Sequence, residues 1–599
     1  MPEQKLEAEL NLALSLPEEE RMKNPVLSAG YEAALDQWKL ILLYNGSLTD
    51  IQNQIDFTFV PLLGNYAIIQ ITSANIPALL TYPQILYLEL SRPLYINEIT
   101  GISASCFNDR PFTLDTPAFP TGGNTVISAD NLTGLGVAIG ILDSGVDFRH
   151  PDFQTSGGQS RILSYWDQSL PYDGTNSYGF GFIFSNEMLN RLLSGETKNS
   201  SSTDSFNDNA EPSPDFSGHG THIAGICAGN GRSSGGRNHG AAPEASLIVV
   251  KLKNEADSVF TDYANLMMAV DYTVRFSSDN NIPLSINISY GSNDGSHDGR
   301  GLIERFIENC IFYGKNTVTI ATGNEGLSKR HSSVQVNTGE NVSVDFSVAP
   351  SETGLYLQLW KHYGDQFTYA LSLPNQSAQI NIPDIPGISR YTMGQNQIRL
   401  IISEPTPFQP LQELFIAIIP SAGNMYISPG IWRFQINSLY SASGSANLWL
   451  PSKEATNSST GFLNPSSDMT FTIPSTGRNI LSVSGYDSTT DVFAAFSGRG
   501  FSNPQNTKPD LTAPAVNILS TAPGGGYSIR TGTSMAAPFV TGASALLMQY
   551  GIVEGKDPFL YGEKIKALLQ KGARPLPAFS QYPNASVGWG ALCFRDIFS

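Results

Sequence analysis

Four cysteines in 599 residues, Cys106, Cys227, Cys310 and Cys593, are too few and too scattered for a disulfide framework. They form no CxxC pair, and none sits in a nucleophile motif. Charge is sparse at 15% of residues, and the 35 basic side chains are outnumbered by 53 acidic ones, for a formal net charge of −18. That balance argues against nucleic acid and anionic membrane surfaces as partners. No window approaches the length of an uncharged apolar span, so no transmembrane helix is expected. The opening residues, Met1-Pro-Glu-Gln-Lys-Leu-Glu-Ala-Glu-Leu10, lack a basic leader followed by a purely apolar run. They read as a short acidic amphipathic helix, not a secretory signal, so synthesis in the cytoplasm without a signal peptide is expected. What is present is enough apolar residues (41%) for true cores, in a chain well beyond the roughly 250–300 residues at which one core stops growing. Two or three domains are expected.

Three glycine-flanked stretches carry the chemistry. Gly136-Val-Ala-Ile-Gly-Ile-Leu-Asp143 is an apolar run of buried parallel-strand type, with Asp143 at its carboxyl end, where open α/β sheets collect their chemistry. Asp215-Phe-Ser-Gly-His-Gly-Thr-His222 places His219 between two glycines at the start of an apolar helical run. His222, three residues on, invites an HxxH metal reading, but no third ligand is evident and no metal site is assigned. Gly532-Thr-Ser-Met-Ala-Ala-Pro538 reads as a turn opening into an apolar helix, with Ser534 where the unpaired N–H groups and positive dipole end lie. Pro538 is expected in the first turn, where its missing N–H costs nothing. A lone serine there is as easily a helix cap. A nucleophile additionally needs a histidine base and a carboxylate to orient it, and the other two stretches can supply both.

Together these segments closely resemble the signature segments of the subtilisin-like serine proteases (subtilases, peptidase family S8), in that family's order Asp, His, Ser. A fourth, Thr319-Ile-Ala-Thr-Gly-Asn-Glu-Gly326, resembles the family's oxyanion stretch. The resemblance implies that Ser534 attacks a peptide carbonyl and His219 takes its proton. Asp143 orients the imidazole, and Asn324 with the Ser534 N–H binds the oxyanion. It further implies that Ser289-Tyr290-Gly291 pairs with substrate backbone as one wall of the specificity pocket. Ala321-Thr322-Gly323 would form the other, and Tyr290 would narrow the outer pocket. No cofactor is required on this reading.

Along the chain, residues 1–36 read as a polar arm with helical patches, serving as packing or tether. Residues 37–97 then give strand, helix, two strands, helix and strand, the βαββαβ order of a ferredoxin-like domain. This resembles the subtilase pro-domain, an inhibitor and chaperone whose tail crosses the active site. Self-cleavage is expected within Leu94–Glu98, in the region Tyr95, Ile96, Asn97, most of all after Asn97 or Tyr95. The catalytic α/β domain is expected over 98–331 and again over 469–599, as a mostly parallel sheet flanked by helices. Ile162–Pro214 reads as a surface excursion with a short helix at Asn186–Leu193. Its carboxylates Asp204, Asp208, Glu211 and Asp215 suit either a solvated acidic loop or Ca²⁺. Residues 332–468 carry short alternating runs separated by turn residues, read as an inserted antiparallel β-sandwich, a jelly roll. Tyr561–Gly572 is a closing helix and Val587–Cys593 a final strand.

A leaderless start, a pro-domain and a jelly-roll insertion together resemble the Csp-type subtilases of spore-forming Firmicutes, as does Ser-Cys at 105–106. That group implies a pro-domain retained after self-cleavage, packaging in the spore and activation of a cortex-hydrolase precursor in germination. Two other readings stay open: a binding or sensing protein whose site is plugged by residues 91–98, and a general intracellular peptidase.

Overall fold

Alternate residues of Ala138–Asp143 face opposite sides of a sheet, and both sides are apolar: Ile139 and Ile141 join one core, Ala138 and Leu142 another. That pattern builds a sheet covered on both faces. In the computed structural model, which describes residues 2–96, 132–172, 174, 176–195, 210–254, 260–374, 379–501 and 507–598, this strand sits inside a nine-stranded sheet. Parallel neighbours are Ser246–Lys251 on one side and Leu284–Ile288 on the other. Asn316–Ala321, Leu481–Asp487 and Leu511–Pro514 continue the parallel order, and Val492–Phe493 and Phe182–Ser185 are antiparallel edges. Helices His219–Ala228 and Thr533–Met548 cover one face, Tyr263–Asp279 and Leu302–Ile311 the other. The helical run Thr533–Val553 is long and apolar enough to cross a membrane by composition alone, yet most of it is buried as the central core helix.

Two expectations about this domain change. The region read as a surface excursion contributes Ile162–Asp167 to the sheet beside Ser246–Lys251, because Tyr165 and Trp166 are fully buried. Only its helix, Asn186–Ser194, falls where expected. Val587–Cys593 forms isolated bridges through Ala591 in place of a strand, because Gly588 and Gly590 take positive φ and break the extended run. Asn97, Cys106, Asp204 and Asp208 lie outside the described residues. Cys227, Cys310 and Cys593 are free thiols.

The N-terminal unit is a five-stranded antiparallel sheet in which Ile85–Leu90, Gln37–Tyr44, Tyr66–Thr72 and Phe57–Leu62 lie in that order, with single-turn helices Thr49–Gln52 and Ile76–Leu79. Its open face lies on helices Tyr263–Asp279 and Leu302–Ile311: Tyr66 stacks edge-on against Phe306, and the Leu63 N–H donates to Asp271 Oδ1 at 2.8 Å. The first residues are less polar in place than in sequence. Helix Ala8–Ser15 buries Leu10, Leu12 and Ala13 against this sheet and against Tyr356, Phe415 and Ala417 of the insertion.

The insertion is a two-sheet antiparallel sandwich. A six-stranded sheet including Leu355–His362, Leu411–Pro420 and Asn396–Ile402 faces a five-stranded one including Asn341–Val348, Gln366–Ser372 and Gly430–Tyr440. Inward residues such as Leu357, Leu359, Trp432 and Phe434 fill the space between them.

The three units meet around buried acids. Arg92 Nη2 donates to Glu9 Oε1 at 2.9 Å and also to Glu7. Gln358 of the insertion donates to the same Glu9 oxygen at 2.8 Å and to Glu413 Oε1 at 3.1 Å. Burial pushes Glu7 and Glu413 well above the usual carboxylate range and Glu89 up to about 7. A carboxyl raised in this way keeps its proton in the native state over a pH interval in which the unfolded chain has released it. The native state therefore binds more protons there, and stability falls as pH rises from about 4.5 to about 7. Thermal unfolding followed across that interval is expected to show Glu89→Gln flattening the decline in Tm. An unchanged slope would mean that Glu89 carries no such proton.

Candidate active site

Asp143 ends its strand and helix His219–Ala228 begins against the following turn. Gly220 lets them approach: a Cβ there would lie 2.1 Å from the Gly145 carbonyl oxygen. The approach brings His219 Nδ1 to 2.6 Å from Asp143 Oδ1, which also accepts from the Ser144 N–H at 2.8 Å. Both side chains are buried. A carboxylate facing Nδ1 fixes the hydrogen on that nitrogen and leaves Nε2 as the basic one. Asp215 organises the same corner. Its Oδ2 accepts from the Thr221 N–H at 2.9 Å and from Thr221 Oγ1 at 2.7 Å, and its Oδ1 accepts from Ser144 Oγ at 2.9 Å. The carboxylate weighed as a calcium ligand is thus spent on holding the Asp143 turn to the His219 helix. Glu211 pairs with Arg149, and among the described residues no group of three or more acidic, His or Cys side chains is arranged to hold a metal ion. Asp215 lies four residues before His219, within the stretch that pointed to His219, so only its role went unread.

His222 is structural. Its Nε2 faces the Ile518 and Ser528 carbonyls at 3.0 and 3.1 Å, which ties the helix to the hairpin Ile518–Arg530. Burial, reinforced by Arg530 and His219, lowers its pKa to about 3, so it stays neutral.

Ser534 is the second residue of helix Thr533–Met548, which packs against helix His219–Ala228. Pro538 is the sixth residue, not a first-turn one. Its missing N–H is the one that would have bonded the Ser534 carbonyl. That carbonyl instead faces Ser289 Oγ at 3.5 Å, while Ser534 Oγ reaches the Ser289 carbonyl at 3.4 Å. Asn287 and Ser285 on the same strand bond Thr541 Oγ1 and the Thr541 carbonyl at 3.0 and 2.9 Å.

Asn324 follows strand Asn316–Ala321. Its Oδ1 accepts from the Thr533 N–H at 3.0 Å and from Thr533 Oγ1 at 3.1 Å, which fixes the amide orientation. Its Nδ2 is left as a buried donor with no hydrogen-bond partner among the described residues. Ser534 itself lies in the first turn of its helix, where N–H groups point out of the helix end. The insertion reaches this point as well: Lys453 Nζ donates to the Asn324 carbonyl at 2.9 Å, and Ser452 Oγ accepts from the Asn293 N–H at 3.0 Å. No motif announced Lys453, because its partner is distant in the chain.

The cleft already holds a strand. Pro93–Ile96 runs antiparallel between Thr261–Asp262 and Tyr290–Gly291, with Leu94 opposite Thr261, Tyr95 opposite Gly291 and Ile96 opposite Tyr290. Tyr290 is buried in the same core as Leu94. Ala321–Gly323 has its backbone engaged elsewhere: the Thr322 N–H donates to the Val483 carbonyl and its own carbonyl accepts from the Thr472 N–H. Those residues can wall a pocket but offer no pairing edge at Thr322. Gly323 has φ of 87°, and a Cβ there would collide with Thr472.

Residues 134–354 and 406–590 match the subtilase family, and residues 4–92 match the Csp protease B prodomain. Among solved structures, the CspB protease of Clostridium perfringens is 33% identical, with 78% of this chain and 93% of that one aligned at a TM-score of 0.69. The PII-type proteinase of Lactococcus lactis subsp. cremoris is 25% identical over 466 residues, which are 69% of this chain and 22% of that protein. The minor extracellular protease Vpr of Bacillus subtilis is 23% identical over 77% of this chain and 51% of its own length. The chain thus spans about a fifth of the first of these curated relatives and about half of the second.

Lys453→Met is expected to lower turnover about three- to tenfold with little change in KM, because the ammonium holds the Asn324 turn and touches no substrate. Lys453→Arg is expected to restore most of it. Steady-state kinetics on a peptide would check both, and a pure KM effect would contradict the assignment.

Proposed function

The chain belongs to the subtilase family of serine proteases and carries a CspB-type prodomain, and from that premise we propose that it is a self-processing endopeptidase whose machinery is Asp143, His219, Ser534 and Asn324. Ser534 Oγ attacks the scissile carbonyl as His219 Nε2 takes its proton. Asp143 stabilises the imidazolium, and Asn324 Nδ2 with the Ser534 N–H receives the oxyanion. His219 then protonates the leaving amine, and water releases the acyl group by the same route in reverse.

The observation that carries this reading is the tail strand. Its antiparallel register pairs 95 with 291 and 96 with 290. The described strand ends at Ile96 opposite Tyr290, next to Ser289, whose carbonyl contacts Ser534 Oγ. A tail held in that register supports cleavage just beyond it, and the bond after Asn97 is the one this reading assigns to Ser534. Strand addition of this kind binds through the main chain and leaves specificity to alternate side chains. Leu94, wholly buried in the same core as Tyr290, is one position read in this way.

After cleavage the pro-domain stays. The Leu63–Asp271 bond, the Tyr66–Phe306 contact and the shared apolar core do not depend on the bond after 97. The physiological substrate on this reading is a protein precursor of the spore-cortex-hydrolase type, met inside the spore. A second reading draws on the same strand: a protein whose cleft stays permanently filled works as a sensor on a protease scaffold.

Intact mass under denaturing conditions tests the two. Wild type is expected as two fragments divided after Asn97, co-eluting on a native column, with Ser534→Ala remaining whole. Asn324→Ala is expected to slow processing about 10²–10³-fold, the loss that subtilisin, the family's type case, shows without its corresponding donor. Two full-length proteins would favour the sensor.

A further inference from the structure

A cavity of about 520 Å³ lies where the N-terminal residues, the insertion and the catalytic part meet, remote from the triad in its lining. Its walls carry six buried carboxylates: Glu7, Glu9, Glu89, Asp294, Glu304 and Glu413. Against them stands one buried cation among the described lining residues, Arg92, whose Nη2 is already shared between Glu7 and Glu9. Arg300 lies at the rim with its side chain exposed.

The bonding of these acids is incomplete in one direction. Glu304 Oε1 accepts from Thr476 Oγ1 at 2.6 Å and Asp294 Oδ2 from Ser292 Oγ at 3.0 Å, but Glu304 Oε2, Asp294 Oδ1 and Glu9 Oε2 have no partner among the described residues. The three residues are only 1%, 2% and 0% exposed. Buried acceptors without donors are costly, and buried negative charge without compensation is costlier still. Protons can offset part of it: burial pushes Glu413 well above the usual carboxylate range and lifts Glu304 to about 7 and Asp294 to about 6. A cavity filled only by protonated acids would not need aromatic walls. Tyr87, Tyr263, Trp360 and Phe408 line this one, and their π-faces attract cations.

We propose that this junction cavity binds a small organic cation, an amine carrying one or two ammonium groups, with Asp294, Glu304 and Glu9 as its acceptors. The volume is many times the roughly 30 Å³ share of a single water, so it suits a molecule more than a bare ion. Each unit of the chain contributes wall residues, so an occupant adds contacts to all three and raises the stability of their association by mass action.

The probe is 1,4-diaminobutane, titrated calorimetrically at mildly alkaline pH into the full-length chain carrying Ser534→Ala, with 1,4-butanediol and matched sodium chloride as controls. Saturable one-site binding and a rise in Tm are expected for the diamine alone. Asp294→Asn and Glu304→Gln are each expected to weaken binding about tenfold or more, the size of a lost charged hydrogen bond. Circular dichroism checks that each variant is folded, and the diamine–diol contrast stands without them. Absence of saturable heat, binding untouched by both substitutions, or binding of calcium chloride in place of the diamine would overturn the proposal.

Discussion

The cleft depends on one coupling, the lock between strand Leu284–Ile288 with its continuation to Gly291 and helix Thr533–Met548. Ser289 and Ser534 exchange contacts through each other's hydroxyl and carbonyl, and Thr541 is bonded by both Ser285 and Asn287 one turn and more further along. On the proposed reading, the strand sets substrate register and the helix sets the position of the nucleophile. Joining them makes the two a single rigid part, so a peptide that pairs correctly with Tyr290–Gly291 is delivered to Ser534 without a further adjustment. Pro538 belongs to this lock, because a residue with an N–H would claim the Ser534 carbonyl for the helix.

How much of this was legible in the sequence follows from the range of each interaction. Asp143, His219, Asn324 and Ser534 were visible because each sits in a local backbone device, a strand end or a helix start crowded by glycines, written in consecutive residues. The small βαββαβ unit was visible for the same reason: its periods change from 2 to 3.6 within a few residues. Ile162–Asp167 was obscured by the Ser-, Asn- and Gly-rich sequence that follows it, although Tyr165 and Trp166 were the clue to burial. Glu9, Glu413, Lys453 and Asp215 belong to the other kind. Three of them meet partners from distant segments, and Asp215 is read as solvated until its five donors are seen around it. Pro538 was placed one turn too early, since a helix boundary is the least certain part of a reading from pattern alone.

The N-terminal unit and the insertion both reach the site. The first lays its tail into the cleft, and the second supports the Asn324 turn through Lys453 and Ser452. Both also touch each other through helix Ala8–Ser15, so the N-terminal unit is gripped by the catalytic helices and by the sandwich together. Two separate apolar surfaces then hold the N-terminal unit, and with it the tail strand, in place.

The base of the insertion has its own consequence. The chain leaves the catalytic part at Lys329–His331 and comes back alongside itself, with the Leu450 and Phe462 N–H groups donating to the Arg330 and Lys329 carbonyls at 2.9 Å and the Ser466 N–H to the His331 carbonyl at 2.9 Å. To the central sheet, the whole sandwich is therefore a hairpin with a pinched neck. Closing a loop costs entropy that grows only with the logarithm of its length, and a neck that closes locally removes even that dependence. The Asn324 and Ser534 halves of the proposed oxyanion site can thus assemble as though a few residues joined them. A change in the size of the sandwich therefore leaves that assembly unaltered, provided that the residues at its neck and its Lys453 contact are kept.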